Sequence, residues 1–177
     1  MIFEIFRIPS LANILGFLSL IFFALSLTPS IVRALFVNLR NTKVINFLSK
    51  KRRIVGILVF IFGLLHGIVI GFERNLNFFE LPVIIKYLQG VILLSVFCLL
   101  TITSNDYSVK KLKKNWKRLH RLSYAMVFVA IWHILDKVKP QWTIITPIAL
   151  IILFTLAISL VLRYNKAKKR RRKIPLP

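Results

Sequence analysis

The chain of 177 residues sets 27 Lys and Arg against 5 Asp and Glu, a formal charge of +22, yet 57% of it is hydrophobic and its mean hydropathy is +0.74. That is more apolar surface than a soluble domain of this size hides, so the expected class is all-α: a polytopic membrane helical bundle of about five transmembrane helices. The cations lie between or after the apolar runs, where topogenic charge at an anionic surface accounts for them, so membrane lipid and no nucleic acid is the expected partner.

Five apolar runs follow one another at 11–29, 54–72, 81–103, 119–135 and 142–163. Each is about the length that crosses a hydrocarbon layer of roughly 30 Å at 1.5 Å per residue, although the fourth is short and begins among charges. The first run lacks a basic leader and a small-residue cleavage site, which predicts a retained helix rather than a signal peptide. A weaker segment at 31–38 is too short to cross. Cys98, the single cysteine, lies within the third run and reads as packing, since no thiolate metal set accompanies it.

Loop charge predicts orientation. Between runs one and two lie Arg33, Arg40, Lys43, Lys50, Lys51, Arg52 and Arg53; between three and four lie Lys110, Lys111, Lys113, Lys114, Lys117 and Arg118; the tail KAKKRRRK follows run five. The remaining connections hold only Glu73, Arg74 and Glu80, or Asp136, Lys137 and Lys139. The positive-inside rule then puts the three basic segments on the cytoplasmic side, with the N-terminus outside and the C-terminus inside.

The chain has three histidines, and two of them, His66 and His133, sit well inside apolar runs. An ionisable side chain at that depth is a functional-site candidate by default, and imidazole is a usual axial ligand of haem iron. His66 lies fourteen residues after Arg52, about 21 Å along a helix, and His133 thirteen residues after His120, about 20 Å. Both helices travel in the same direction, so His66 and His133 share one depth while Arg52 and His120 share another. A pair matched in this way could hold one iron from both faces, whereas a lone buried histidine as often bonds a carbonyl in the core.

Azimuth divides the candidates. Arg52 and His66 fall about 40° apart on an ideal helix, beside Gly56, Gly63, Gly67 and Gly71. Such a stripe admits a flat macrocycle, and equally serves close helix packing. His120 and His133 are about 220° apart, so they face different ways unless the helix is irregular, for example through a π-bulge. Trp116, Trp142 and Tyr107 stand where an aromatic belt is expected. The stretch VKKLKKNWKRLHR suits anionic lipid, a soluble donor or the propionates of a haem. No dinucleotide fingerprint, phosphate loop, zinc motif or serine nucleophile is present, so the chain carries no nicotinamide- or flavin-binding domain of its own.

The segments RRIVGILVFIFGLLH (52–66) and TSNDYSVKKLKKNWKRLHRLSYAMVFVAIWH (103–133) resemble the ferric-reductase-like transmembrane family, in its MsrQ (YedZ) haem-binding membrane subunit branch. The likeness rests on the RRxxG start, a histidine fourteen residues past the first arginine, a TS at the end of the next helix, then WxxLHxxxY and a histidine thirteen residues beyond the first. It extends from about residue 15 to the LRY at 162–164. The resemblance implies a single transmembrane haem-binding domain over 1–177, with a basic cytoplasmic tail at 164–177. It also implies an oxidoreductase component passing electrons from a cytoplasmic-side flavin (FMN) or quinol (quinone) donor to an outer-side acceptor, either ferric iron or a partner reductase such as a sulfoxide reductase. His66 and His133 would be the axial pair of haem b, and His120 with Arg52 would mark the level of a second one. Larger relatives place a further histidine where Arg52 stands, so the choice is between one haem and two. The branch also has an additional helix ahead of run one, without a counterpart in these residues. The competing expectation is a non-catalytic membrane subunit or assembly factor that has kept the bundle and lost its haem.

Overall fold

Ser10 opens the first helix by accepting a hydrogen bond from the Asn13 amide at 3.3 Å, which satisfies one of the donors a helix start leaves free. The computed structural model describes residues 6–77, 79–137 and 142–172. Helix α1 runs Leu11–Leu35 and α2 Lys43–Glu73; α3 (Leu81–Lys86) and α4 (Leu88–Ile102) follow; α5 (Asp106–Leu112) and α6 (Lys114–His120) are short; α7 (Leu122–Lys137) and α8 (Ile145–Arg172) complete the chain. Strand β1 (Phe6–Arg7) pairs in parallel with β2 (Trp142–Thr143), tying the approach to α1 to the approach to α8. Lys139 and Lys173, named above among the loop and tail charges, lie outside the described residues.

The apolar runs become helices of unequal length. The first continues through Pro29 to Leu35 and so absorbs most of the weak segment at 31–38. The second gains a basic extension, because α2 is already helical from Lys43. The third divides at Tyr87, which caps α3 and starts α4. The fourth yields α7, whose 16 residues span only about 24 Å. By length and composition α1, α2 and α8 can each cross a membrane, and α4 with α5 adds a fourth span only if that pair, bent by 94°, counts as one.

Packing closes a ring: α1 lies against α2, α2 against α4, α4 against α7, α7 against α8, and α8 against α1. Its core is aliphatic and aromatic, with Phe23, Leu27 and Ile31 of α1, Val127 of α7 and Leu153 of α8 buried together. The outer faces are also apolar: α2 exposes Ile54, Ile61, Leu64, Leu65 and Ile68. Lipid tails solvate such a face without penalty, so this distribution belongs in a bilayer.

The basic segments converge on one end of the ring. There Arg33 donates to Asn46 Oδ1 at 3.0 Å, Arg53 pairs with Asp106 at 2.6 Å, and Lys166 donates to the Leu35 carbonyl at 3.1 Å. The Arg53 hydrogen bond holds the exposed Asp106 carboxyl below the usual carboxylate range. The hydroxyls of Thr103 and Ser104 bond the Leu99 and Leu100 carbonyls as α4 ends, and Asn105 caps α5 through the Ser108 amide at 2.7 Å. Lys113, between α5 and α6, takes φ 47° and ψ −116°, a conformation that suits glycine.

Candidate functional site

At the level farther from the basic end, α2 and α7 bring His66 and His133 together. Their ring centres are 6.3 Å apart and their planes cross at 85°. Two imidazoles that ligate one metal ion from opposite sides, through bonds of about 2 Å, have ring centres about 6 Å apart. An edge-to-face aromatic pair falls in the same range. Such a pair needs neither free nitrogens nor an adjoining cavity, and here both are present. No hydrogen bond to either Nε2 exists among the described residues, and a cavity of about 800 Å³ is lined by both rings.

The His66 tautomer follows from its partner. Nδ1 lies 2.7 Å from the Ala12 carbonyl oxygen, which can only accept, so Nδ1 carries the proton and Nε2 keeps its lone pair. This is the arrangement that orients a ligating histidine and raises its basicity. His133 is held differently: its Nδ1 is buried with no partner among the described residues.

Two glycines make room for the rings. A Cβ on Gly16 would stand 3.0 Å from His66 Nδ1, and one on Gly90 would stand 3.3 Å from His133 Cε1. Of the glycines on α2, Gly63 and Gly67 line the cavity, whereas a Cβ on Gly56 would meet nothing within 4 Å. Two of the four glycines of the stripe, Gly63 and Gly67, thus border the cavity. Gly16, Gly90 and the Ala12 carbonyl were not legible as site residues. Their signal was the cost of an interior glycine, which marks a packing or functional need wherever an apolar helix carries one.

The level nearer the basic end is built differently. His120 stacks on Trp116 with ring centres 4.1 Å apart, and its Nε2 lies 3.3 Å from Thr103 Oγ1. Trp116 in turn donates from Nε1 to the Thr103 carbonyl at 2.9 Å, so the tryptophan expected in an aromatic belt also braces a histidine. Arg52 is exposed, although near enough to His120 to act on it electrostatically. No group of three or more His, Cys, Asp or Glu able to hold a metal ion occurs among the described residues.

The helical register explains how one chain serves both levels. Between His120 and His133 the helix tightens: the Arg121 amide bonds the Arg118 carbonyl and the Tyr124 amide bonds the Arg121 carbonyl, three residues back in each case. The irregularity present here is a tightened turn, not the widened one given as an example. On the same part of the bundle Arg163 donates to Ser30 Oγ at 2.9 Å, and Ser30 Oγ lies 3.1 Å from the Tyr124 hydroxyl, tying α1, α7 and α8 together.

Residues 15–131 match the ferric reductase like transmembrane component family. The chain belongs to that family. Among its ferric-reductase-like relatives are proteins described as the heme-binding subunit MsrQ of protein-methionine-sulfoxide reductase. The one from Yersinia enterocolitica is 30% identical over 128 residues, 69% of this chain and 62% of that protein. Those from Brucella ovis and Brucella canis are each 31% identical over 97 residues, 52% of this chain and 44% of theirs. The chain therefore matches between 44% and 62% of the length of these relatives. No solved structure matches it.

Proposed function

We propose that this protein is a membrane electron-transfer subunit that holds one b-type haem between His66 and His133. The single observation that carries the reading is the facing pair of imidazoles at 6.3 Å, bordering a cavity on the matched family fold. His66 and His133 would hold the haem, which would supply one-electron oxidation and reduction without bond making. The chain's own residues would fix its setting. The Ala12 carbonyl holds the His66 proton at Nδ1 and presents Nε2 to the cavity, while Gly16 and Gly90 let both rings approach.

Loop charge supports a cytoplasmic basic end, so the histidine pair would lie toward the outer face. The direction of flow would then run from a cytoplasmic-side flavin or quinol donor to an outer-side acceptor: a partner reductase such as a sulfoxide reductase, in line with the names of the relatives, or ferric iron, in line with the family description. A single haem is favoured because the His120 Nε2 is already paired with Thr103 and faces no second histidine among the described residues.

The test is a reduced-minus-oxidised spectrum of the purified full chain together with its haem-to-protein ratio. Bands of b-type haem at one per chain are expected. Their absence would defeat the reading and leave a bundle that kept its histidines without the cofactor.

A further inference from the structure

We propose that Arg74 and Lys137 bind the two carboxylates of the macrocycle seated between His66 and His133, fixing its acidic edge at the end of the bundle away from the basic loops. The inference rests on the haem reading above.

The cavity walls are mostly apolar, and apart from the two histidines the charged side chains that line it, among the described residues, are Arg74 and Lys137. Each histidine helix leads to one of them. Lys137 follows His133 by four residues, one turn along the same face of α7, and Arg74 follows His66 by eight, just past the end of α2. Both gather at one buried ring that also lines the cavity. Arg74 donates to the Tyr87 hydroxyl at 2.9 Å, and Lys137 Nζ stands 4.8 Å from the Tyr87 ring centre.

Charge explains why a ligand belongs there. Lys137 already has Asp136 as a partner at 2.6 Å, whereas Arg74 has a neutral phenol and no ion pair among the described residues. Arg74 is exposed and Lys137 half-buried at the rim of an apolar cavity, and a carboxylate seated at that rim gains from a cation beside it. Haem b brings two carboxylates to two cations. The basic stretch at 109–121, where propionates were one expectation, lies at the opposite end of the bundle from Arg74. Arg74 is the stronger anchor, because Lys137 must share itself with Asp136.

The test compares haemin with its dimethyl ester, titrated separately into full-length protein purified from haem-limited cells. The wild type is expected to bind the ester roughly tenfold to a hundredfold more weakly, since hydrogen bonds to charged groups are at stake. Arg74→Gln should weaken haemin binding by a similar factor and narrow the gap between the two ligands; Lys137→Gln should do so less. Loss of a cation should also lower the haem midpoint potential, and Arg74→Lys should recover part of both effects. Equal binding of the two ligands by the wild type overturns the proposal, as does an undiminished gap in the Arg74→Gln, Lys137→Gln double variant. If those variants do not fold, the wild-type comparison decides alone. Binding of neither ligand by the wild type would sink the haem reading itself, a result distinguishable from equal binding.

Discussion

The two histidine levels of this bundle use the same side chain under opposite conditions. At His66 and His133 the rings face each other across a cavity edge, each beside a glycine, with no hydrogen bond on either Nε2 among the described residues. At His120 the ring is stacked on Trp116, its Nε2 meets Thr103, and an exposed arginine occupies the corresponding depth on α2. The lesson is that depth in a membrane nominates a histidine, while the atoms around its free nitrogen decide what it can do.

The largest expected effect breaks the comparison outright. His66→Ala and His133→Ala should each abolish the b-type bands, whereas His120→Ala should keep them; loss of the bands in His120→Ala alone would reverse the assignment. Next come the glycines. Gly16→Ala presses a methyl to 3.0 Å from a ring anchored on Ala12, and Gly90→Ala presses one to 3.3 Å from a ring without that anchor. Haem affinity measured by titration should fall in both, more in Gly16→Ala. Gly56→Ala should leave it unchanged and raise stability by up to about 1 kcal/mol, the helix propensity difference.

Smaller effects fall at the basic end. Lys113→Gly should stabilise the folded chain by about 1 kcal/mol in thermal melts, because glycine adopts the observed backbone angles without strain. Haem content should not change. Asp106→Asn should alter least, as both members of its ion pair are exposed. The sign is set by the lowered carboxyl: its contribution is present at neutral pH and disappears as pH falls through the native value. Melting curves of wild type and variant should therefore differ slightly at pH 7 and coincide in acid.

Much of this was legible in the sequence. Apolar length gave the helical membrane class, loop charge gave the clustering of basic segments at one end, and counting residues gave the depth match of His66 with His133. What escaped depended on contacts between helices that no single run contains. The break at Tyr87 falls inside what reads as one apolar run, with Lys86 and Gln89 on either side of it. The role of Gly16 was hidden because it belongs to α1 while the ring it admits belongs to α2. The spacing of about 220° left open whether the helix is regular between His120 and His133, and the tightened turn at Arg121 emerged only from its hydrogen bonds.

Beyond the Arg33–Asn46 bond at the basic end, helices α1 and α2 are joined by two side chain–backbone bonds that point in opposite directions. The α1 side chain of Ser19 donates to the α2 backbone at Val59 at 2.9 Å, and the α2 side chain of His66 donates to the α1 backbone at Ala12 at 2.7 Å. The two anchor points lie seven residues apart on each helix, about two turns. One such bond would leave a pivot. Two make a mount that resists both sliding and rotation, so the imidazole is aimed by the whole helix pair.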